Sequence, residues 1–164
     1  MRFLEANATV SDLDSFIETV GTVADETGAT IQAFDARYVV DRDHLEHAVT
    51  LADRAIERGN EIARDRAVEF ILYASGRRQI NRAFEIGVSE GTLPVVILVD
   101  GGDESAAESA LFDRLDLEPA DTLGEYDESL VHEFYDIGDA ELTAADGDLS
   151  ALVRERVSLL TVDR

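Results

Sequence analysis

The sequence predicts an α/β chain of the α+β kind: a single compact domain over residues 1–164, with a small, mostly antiparallel or mixed sheet surrounded by about six helices. Three observations predict it. The chain is long enough, and at 45% apolar content rich enough, to bury one core. Apolar residues recur at helical spacing through most of its length. The run LPVVILVD (93–100) departs from that spacing: it is continuously apolar and led by a proline, as in a strand buried on both faces. No repeat, low-complexity tract or shift in composition marks a linker.

Residues 2–10 read as a strand. Ser11 is placed to cap a helix in which Leu13, Phe16, Ile17, Val20 and Ala24 follow at helical spacing, and Gly28 stops it. ATIQAF (29–34) reads as a second strand. A helix from Asp43 carries Leu45, Ala48, Val49, Ala52 and Ile56 on one stripe and ends at Gly59. Another runs from Glu61 to Ala74, with Ile62, Ala67, Phe70, Ile71 and Ala74 inward, and Ser75-Gly76 breaks it. A third starts near Arg78, with Ile80, Ala83, Phe84, Gly87 and Val88 on an apolar face and Arg78, Arg82 and Glu85 opposite. Beyond the LPVVILVD strand, Asp103 caps a helix through Leu115, and residues 116–126, with Pro119 and Gly124, form a loop. Helices follow over 127–137 and 148–162, the last with Leu149, Leu152, Val153, Val157 and Leu160 on one stripe.

Charge is the unusual property. Thirty-six acidic residues stand against 14 basic ones, all of them arginine, for a net charge of −22. Self-repulsion on that scale is relieved in concentrated salt, where the Debye length shrinks to about 3 Å at 1 M. An acidic, lysine-free surface on an ordinary core points to the cytoplasm of a salt-accumulating halophile. The apolar periodicity excludes a disordered acidic tail. Cysteine is absent, which removes disulfides, thiolate catalysis and thiolate metal sites. MRFLEANATV lacks the pattern of a signal peptide, and no window approaches 18 uninterrupted apolar residues, so no membrane association is expected.

No catalytic constellation stands out. His44 and His47 lie at i, i+3 on a helix flank without a third ligand, and His132 stands alone, so the histidines read as surface or half-buried groups. Ser75 lacks a G-x-S-x-G frame. VVILVDGGDES has the outline of a strand, a glycine turn and a helix start, but its glycines fit no phosphate-binding spacing. Asp100, Asp103 and Glu104 would repel phosphate, and Asp100 and Asp103 read as turn and cap residues. The sequence therefore implies no enzyme, no cofactor and no metal.

One stretch reverses the charge. From Arg54 to Arg82 there are seven arginines and four acids (Glu57, Glu61, Asp65, Glu69), a local excess of +3 that leaves −25 for the rest. Helical i, i+3 and i, i+4 pairing accounts for Arg54, Arg58, Arg64 and Arg66. It does not account for Arg77, Arg78 and Arg82, where Glu85 is the one nearby acid. Guanidinium groups beside a glycine and a helix start suit phosphate, and Tyr73 and Phe84 could stack a base, with Phe84 also readable as core.

The residues of this stretch carry a resemblance. Glu69–Val88, with its E-x-x-x-Y-x-S-G-x-R-Q-I core, resembles the CGI-type regulatory subunit of the KEOPS complex. QAFDARYVVDRDHLEHAVTLADRAI (32–56), with Asp35, Ala36, His44 and Leu45, and ERVSLLTVD (155–163) are similar to further segments of that family; residues 101–147 offer no motif to compare. The resemblance implies a compact α/β domain and a non-catalytic subunit in the threonylcarbamoyladenosine modification of tRNA. Such a subunit binds and stimulates the complex's atypical kinase/ATPase and helps recruit tRNA through its 3′ CCA end. Joined with the arginine cluster, it points to tRNA contact on Gly76, Arg77, Arg78, Gln79 and Arg82. It places kinase docking on helical surface that includes the C-terminal helix, with Leu152, Val153, Val157 and Leu160 as candidates that also read as core. Two other readings stand beside it: an acidic protein-binding scaffold or inhibitor that never touches RNA, and a nucleotide or phosphate-ester enzyme, for which no pocket is evident.

Overall fold

The computed structural model describes residues 1–162, so Asp163 of the ERVSLLTVD segment lies outside the described residues. It is an α+β structure with one four-stranded sheet, eight α-helices and two short 3₁₀ turns among the described residues. The chain divides into two compact units, Met1–Ala36 with Gly87–Thr122 and Arg37–Ile86 with Leu123–Arg164.

The first unit holds the sheet. Its strands are β1 (Arg2–Val10), β2 (Thr30–Asp35), β3 (Gly91–Asp100) and β4 (Leu117–Pro119), in the order β2-β3-β1-β4 with every pairing antiparallel. The mixed-sheet alternative is thus set aside. In β1 the alternation Leu4, Ala6, Ala8, Val10 turns one face inward, and the register with β3 (Leu4 opposite Ile97, Ala6 opposite Val95) joins the two strands into one apolar surface. Phe16 and Val23 of α1 (Leu13–Thr27) and Ala107 and Leu111 of α5 (Glu104–Arg114) cover it. Val96 and Leu98, on the other face of β3, are also fully buried, as the continuous apolar run predicts. The short β4 occupies part of the expected 116–126 loop.

Side-chain caps move several helix starts. Asp12, not Ser11, caps α1 by accepting the Ser15 N–H at 3.2 Å. Asp103 caps α5, as its sequence position predicts.

The second unit is helical: α2 (Arg42–Glu57), α3 (Arg66–Ser75), α4 (Ile80–Ala83), α6 (Glu128–Phe134), α7 (Asp139–Ala144) and α8 (Leu149–Val162). α2, α3 and α8 pack on one another. Asp41 caps α2 two residues ahead of the expected Asp43, and Asp65 caps α3 by accepting from Ala67 and Val68, so the helix predicted from Glu61 begins later. The predicted helix over Arg78–Val88 is a single turn, α4, followed by a 3₁₀ turn at Phe84–Ile86. Its expected apolar face is divided: Ala83 and Gly87 are buried and Val88 half-buried, whereas Ile80 is 50% and Phe84 39% exposed. Phe84 is therefore surface rather than core.

Candidate functional site

The E-x-x-x-Y-x-S-G-x-R-Q-I segment lies wholly in the second unit, and its residues have separate tasks. Glu69, on the first turn of α3, is fully buried. Its carboxylate accepts the Ile62 N–H on both oxygens (3.1 and 3.0 Å) and the Ala63 N–H at 2.8 Å. A buried carboxylate is tolerable only with such donors. Ser75 finishes α3 by donating to the Leu72 carbonyl and accepting the Arg77 N–H at 3.1 Å. Gly76 takes the left-handed C-cap conformation (φ 66°), and a Cβ there would stand 2.9 Å from the Arg156 carbonyl of α8. Both constraints explain this glycine by packing.

The three arginines that follow do not act together. Arg77 is half-buried, donates to the Phe134 carbonyl and lies with its guanidinium 5.0 Å from the Phe134 ring centroid. Arg82 pairs with Glu85 at 2.6 Å and also approaches the Phe134 ring, at 5.8 Å. Gln79 is exposed and makes no side-chain cap for α4. Arg78 faces elsewhere. With Leu51, Arg54, Ala55, Arg58, Asn60, Tyr73 and Thr161, it lines a hollow of about 430 Å³. Among the described residues, three guanidinium groups enter that lining and no carboxylate does. The four-residue α4 is too short to contribute a useful macrodipole, so the helix start does not supply the anion preference expected of it.

The expected neutralisation of Arg54, Arg58 and Arg64 does not occur. None of the three has an ion pair among the described residues. Two of the four acids expected to pair with them serve backbone amides instead, Asp65 as the α3 cap and Glu69 in the 62–63 loop. Arg66 pairs with Asp53 at 2.8 and 2.9 Å, across the α2–α3 packing, and stacks on Phe70. Sequence spacing could not show this, because pairing within one helix loses to pairing between helices and to capping.

The C-terminal stripe requires a correction. Leu152, Val153, Val157 and Leu160 are all buried, at 6%, 0%, 0% and 2% exposure. Their side chains are spent on packing within the second unit and are not available to a partner. The exposed apolar residues of α8 are Leu159 (41%) and Val162 (75%).

His44 is also corrected, from flank to core. It is fully buried, and the Val40 N–H donates to its Nδ1 at 3.3 Å. The ring hydrogen therefore sits on Nε2, which donates to the Ala74 carbonyl at 2.8 Å. Loss of hydration lowers its pKa to about 4. The Tyr135 hydroxyl donates toward the same carbonyl, and burial raises its pKa. His47 is half-buried against Ser158, 2.7 Å away. Among the described residues no three histidines or carboxylates converge as a metal site, and no helix is long and apolar enough to cross a membrane.

Two comparisons bear on this geometry. A family model described as kinase binding protein CGI-121 matches residues 9–161. No curated protein matches the chain.

Proposed function

The chain belongs to the CGI-121 family of kinase-binding proteins, and from that premise we propose that it is the non-catalytic regulatory subunit of a KEOPS-type complex. In this reading it binds and stimulates the complex's atypical kinase/ATPase and recruits tRNA through the 3′ CCA end for threonylcarbamoyladenosine modification. The family match runs through both compact units, which supports treating 1–164 as one domain of that family. Its place is the cytoplasm of a salt-accumulating archaeon, in keeping with the acidic, lysine-free composition.

The observation that carries the RNA half is the hollow. In a chain of net charge −22, its lining among the described residues has Arg54, Arg58 and Arg78 and no acid. Guanidinium forks donate paired N–H bonds to phosphate oxygens, and a concave wall of one sign focuses the field on an anion. Arg78 is the member of the expected RNA-contacting set that faces the hollow, with exposed Gln79 and Arg82 next along the chain. Gly76 and Arg77 support that segment from behind, through α8 and Phe134. Exposed Phe84 offers a face on which a base can stack.

For the kinase half, the exposed Leu159 and Val162 of α8 replace the buried stripe as docking residues. A second reading, a kinase-binding scaffold without RNA contact, is favoured by the internal engagement of Arg77 with Phe134 and of Arg82 with Glu85. Binding of the full chain to tRNA with and without its CCA end, in about 2 M KCl to suppress purely electrostatic contacts, separates the two. CCA-dependent binding supports recruitment; no binding to either form leaves the scaffold.

A further inference from the structure

We infer that Glu69 is the positioning residue of the arginine hollow: its buried carboxylate holds the loop between α2 and α3 in the shape that completes the hollow's wall. The inference rests on the RNA reading above and adds the group that prepares the site.

The loop from Arg58 to Asp65 contributes Arg58 and Asn60 to the lining. Its beginning is tied to α2, where the Asn60 N–H donates to the Ala55 carbonyl at 2.8 Å and Gly59 turns the chain with φ 71°. Its end is tied to α3 by the Asp65 cap. Between these anchors, the Ile62 and Ala63 amides bond to the side chain of Glu69. Glu69 itself has no exposure, whereas Arg58, Asn60 and Arg64 on the loop are exposed. The carboxylate thus works from beneath the loop without a path to the ligand. One side chain supplies all three contacts to the middle of the segment. A loop held in its bound shape spares the ordering cost that a mobile arginine would impose on binding.

Glu69 and Tyr73 stand one helical turn apart on α3, so the same helix that holds the loop also supplies Tyr73 to the hollow. This gives the E-x-x-x-Y spacing a joint purpose: the acid holds the loop and the tyrosine joins the lining.

The test uses the full chain in three variants. Glu69→Gln keeps the side chain's size and one acceptor oxygen but turns an amide N–H₂ toward the loop's donors. Expected are faster hydrogen exchange at the Ile62 and Ala63 amides and about tenfold weaker binding of CCA-ended tRNA, with kinase affinity unchanged. Unchanged kinase affinity distinguishes positioning from general unfolding. Glu69→Asp, which restores the charge on a shorter arm, recovers part of the RNA affinity. Unchanged exchange in Glu69→Gln overturns the anchoring. Faster exchange with unchanged RNA affinity overturns the link to the hollow. The double variant Arg54→Ala/Arg58→Ala tests the reading beneath: if it folds and binds tRNA as before, the hollow does not hold RNA, whatever the exchange at Ile62 shows.

Discussion

The sheet-bearing unit has sixteen acidic residues and two arginines, and the helical unit has twenty and twelve. In the first, both arginines are engaged by acids: Arg2 with Glu104 and Glu108, Arg114 with Glu26. In the second, Arg54, Arg58 and Arg64 stay outside ion pairs among the described residues, while Asp65 and Glu69 are committed to backbone amides. Net charge of the whole chain therefore says little about local potential. Around the hollow, two of the nearby acids serve a helix cap and a loop anchor and leave Arg54, Arg58 and Arg64 unpaired by them.

The largest effect should come from the α8 stripe, which tests whether the helical unit separates packing from docking. Leu152→Ala and Leu160→Ala each remove a buried side chain and should cost about 2–5 kcal/mol in denaturant unfolding. Leu159→Ala and Val162→Ala should stay within about 0.5 kcal/mol, yet weaken kinase binding when measured by calorimetry. If Leu159→Ala/Val162→Ala binds the kinase as before, docking does not use this edge.

Charge reversal is the sharpest contrast between the units. Arg54→Glu with Arg58→Glu should reduce affinity for CCA-ended tRNA about 100-fold, two charge-assisted contacts at about 1.5 kcal/mol each. Arg2→Glu with Arg114→Glu in the sheet unit should change it less than about twofold. Similar losses from both pairs would mean that overall charge, not the hollow, governs binding.

All three histidines belong to the helical unit. His44 has a folded pKa of about 4, below its ordinary 6.5, because burial disfavours the imidazolium. Between those values the unfolded chain binds the extra proton, so stability is complete above pH 6.5 and declines as pH falls toward 4. The total contribution is about 3 kcal/mol. Chemical unfolding at a series of pH values should show that slope, and His44→Gln should flatten it in the window above carboxylate titration. An unchanged slope would assign it to other groups.

Two C-cap glycines give the smallest contrast. Gly28 after α1 and Gly76 after α3 are both left-handed, with φ 72° and 66°. Gly28→Ala meets nothing nearer than 3.8 Å and should lose about 1 kcal/mol for its conformation. Gly76→Ala meets the Arg156 carbonyl at 2.9 Å and should lose more, read as a larger drop in Tm. Equal losses would show that α8 yields easily.

Much of the fold was legible. The strand reading of residues 2–10 and the apolar run 93–100 located β1 and β3, 3.6-residue stripes located α1, α2, α3 and α8, and the Asp103 cap located α5. β4 and α7 were missed because three and six residues carry too little periodicity. The site was legible as a charge excess but not in its membership. Arg77, Arg78 and Arg82 look equivalent along the chain, yet Phe134, more than fifty residues away, takes up Arg77, and α2 gathers with Arg78.

By itself the sequence determined the types of the longer elements, the acidic background and the location of the positive stretch, since these depend on residue type and local spacing. Only the tertiary structure decided that Leu152, Val153, Val157 and Leu160 are core and Phe84 is surface, that His44 is buried and that Glu69 serves the 62–63 amides. A periodic stripe shows that a face seeks cover without naming what covers it. Packing between α2, α3 and α8 supplies that answer, and each polar group then takes whichever donor the packing brings within reach.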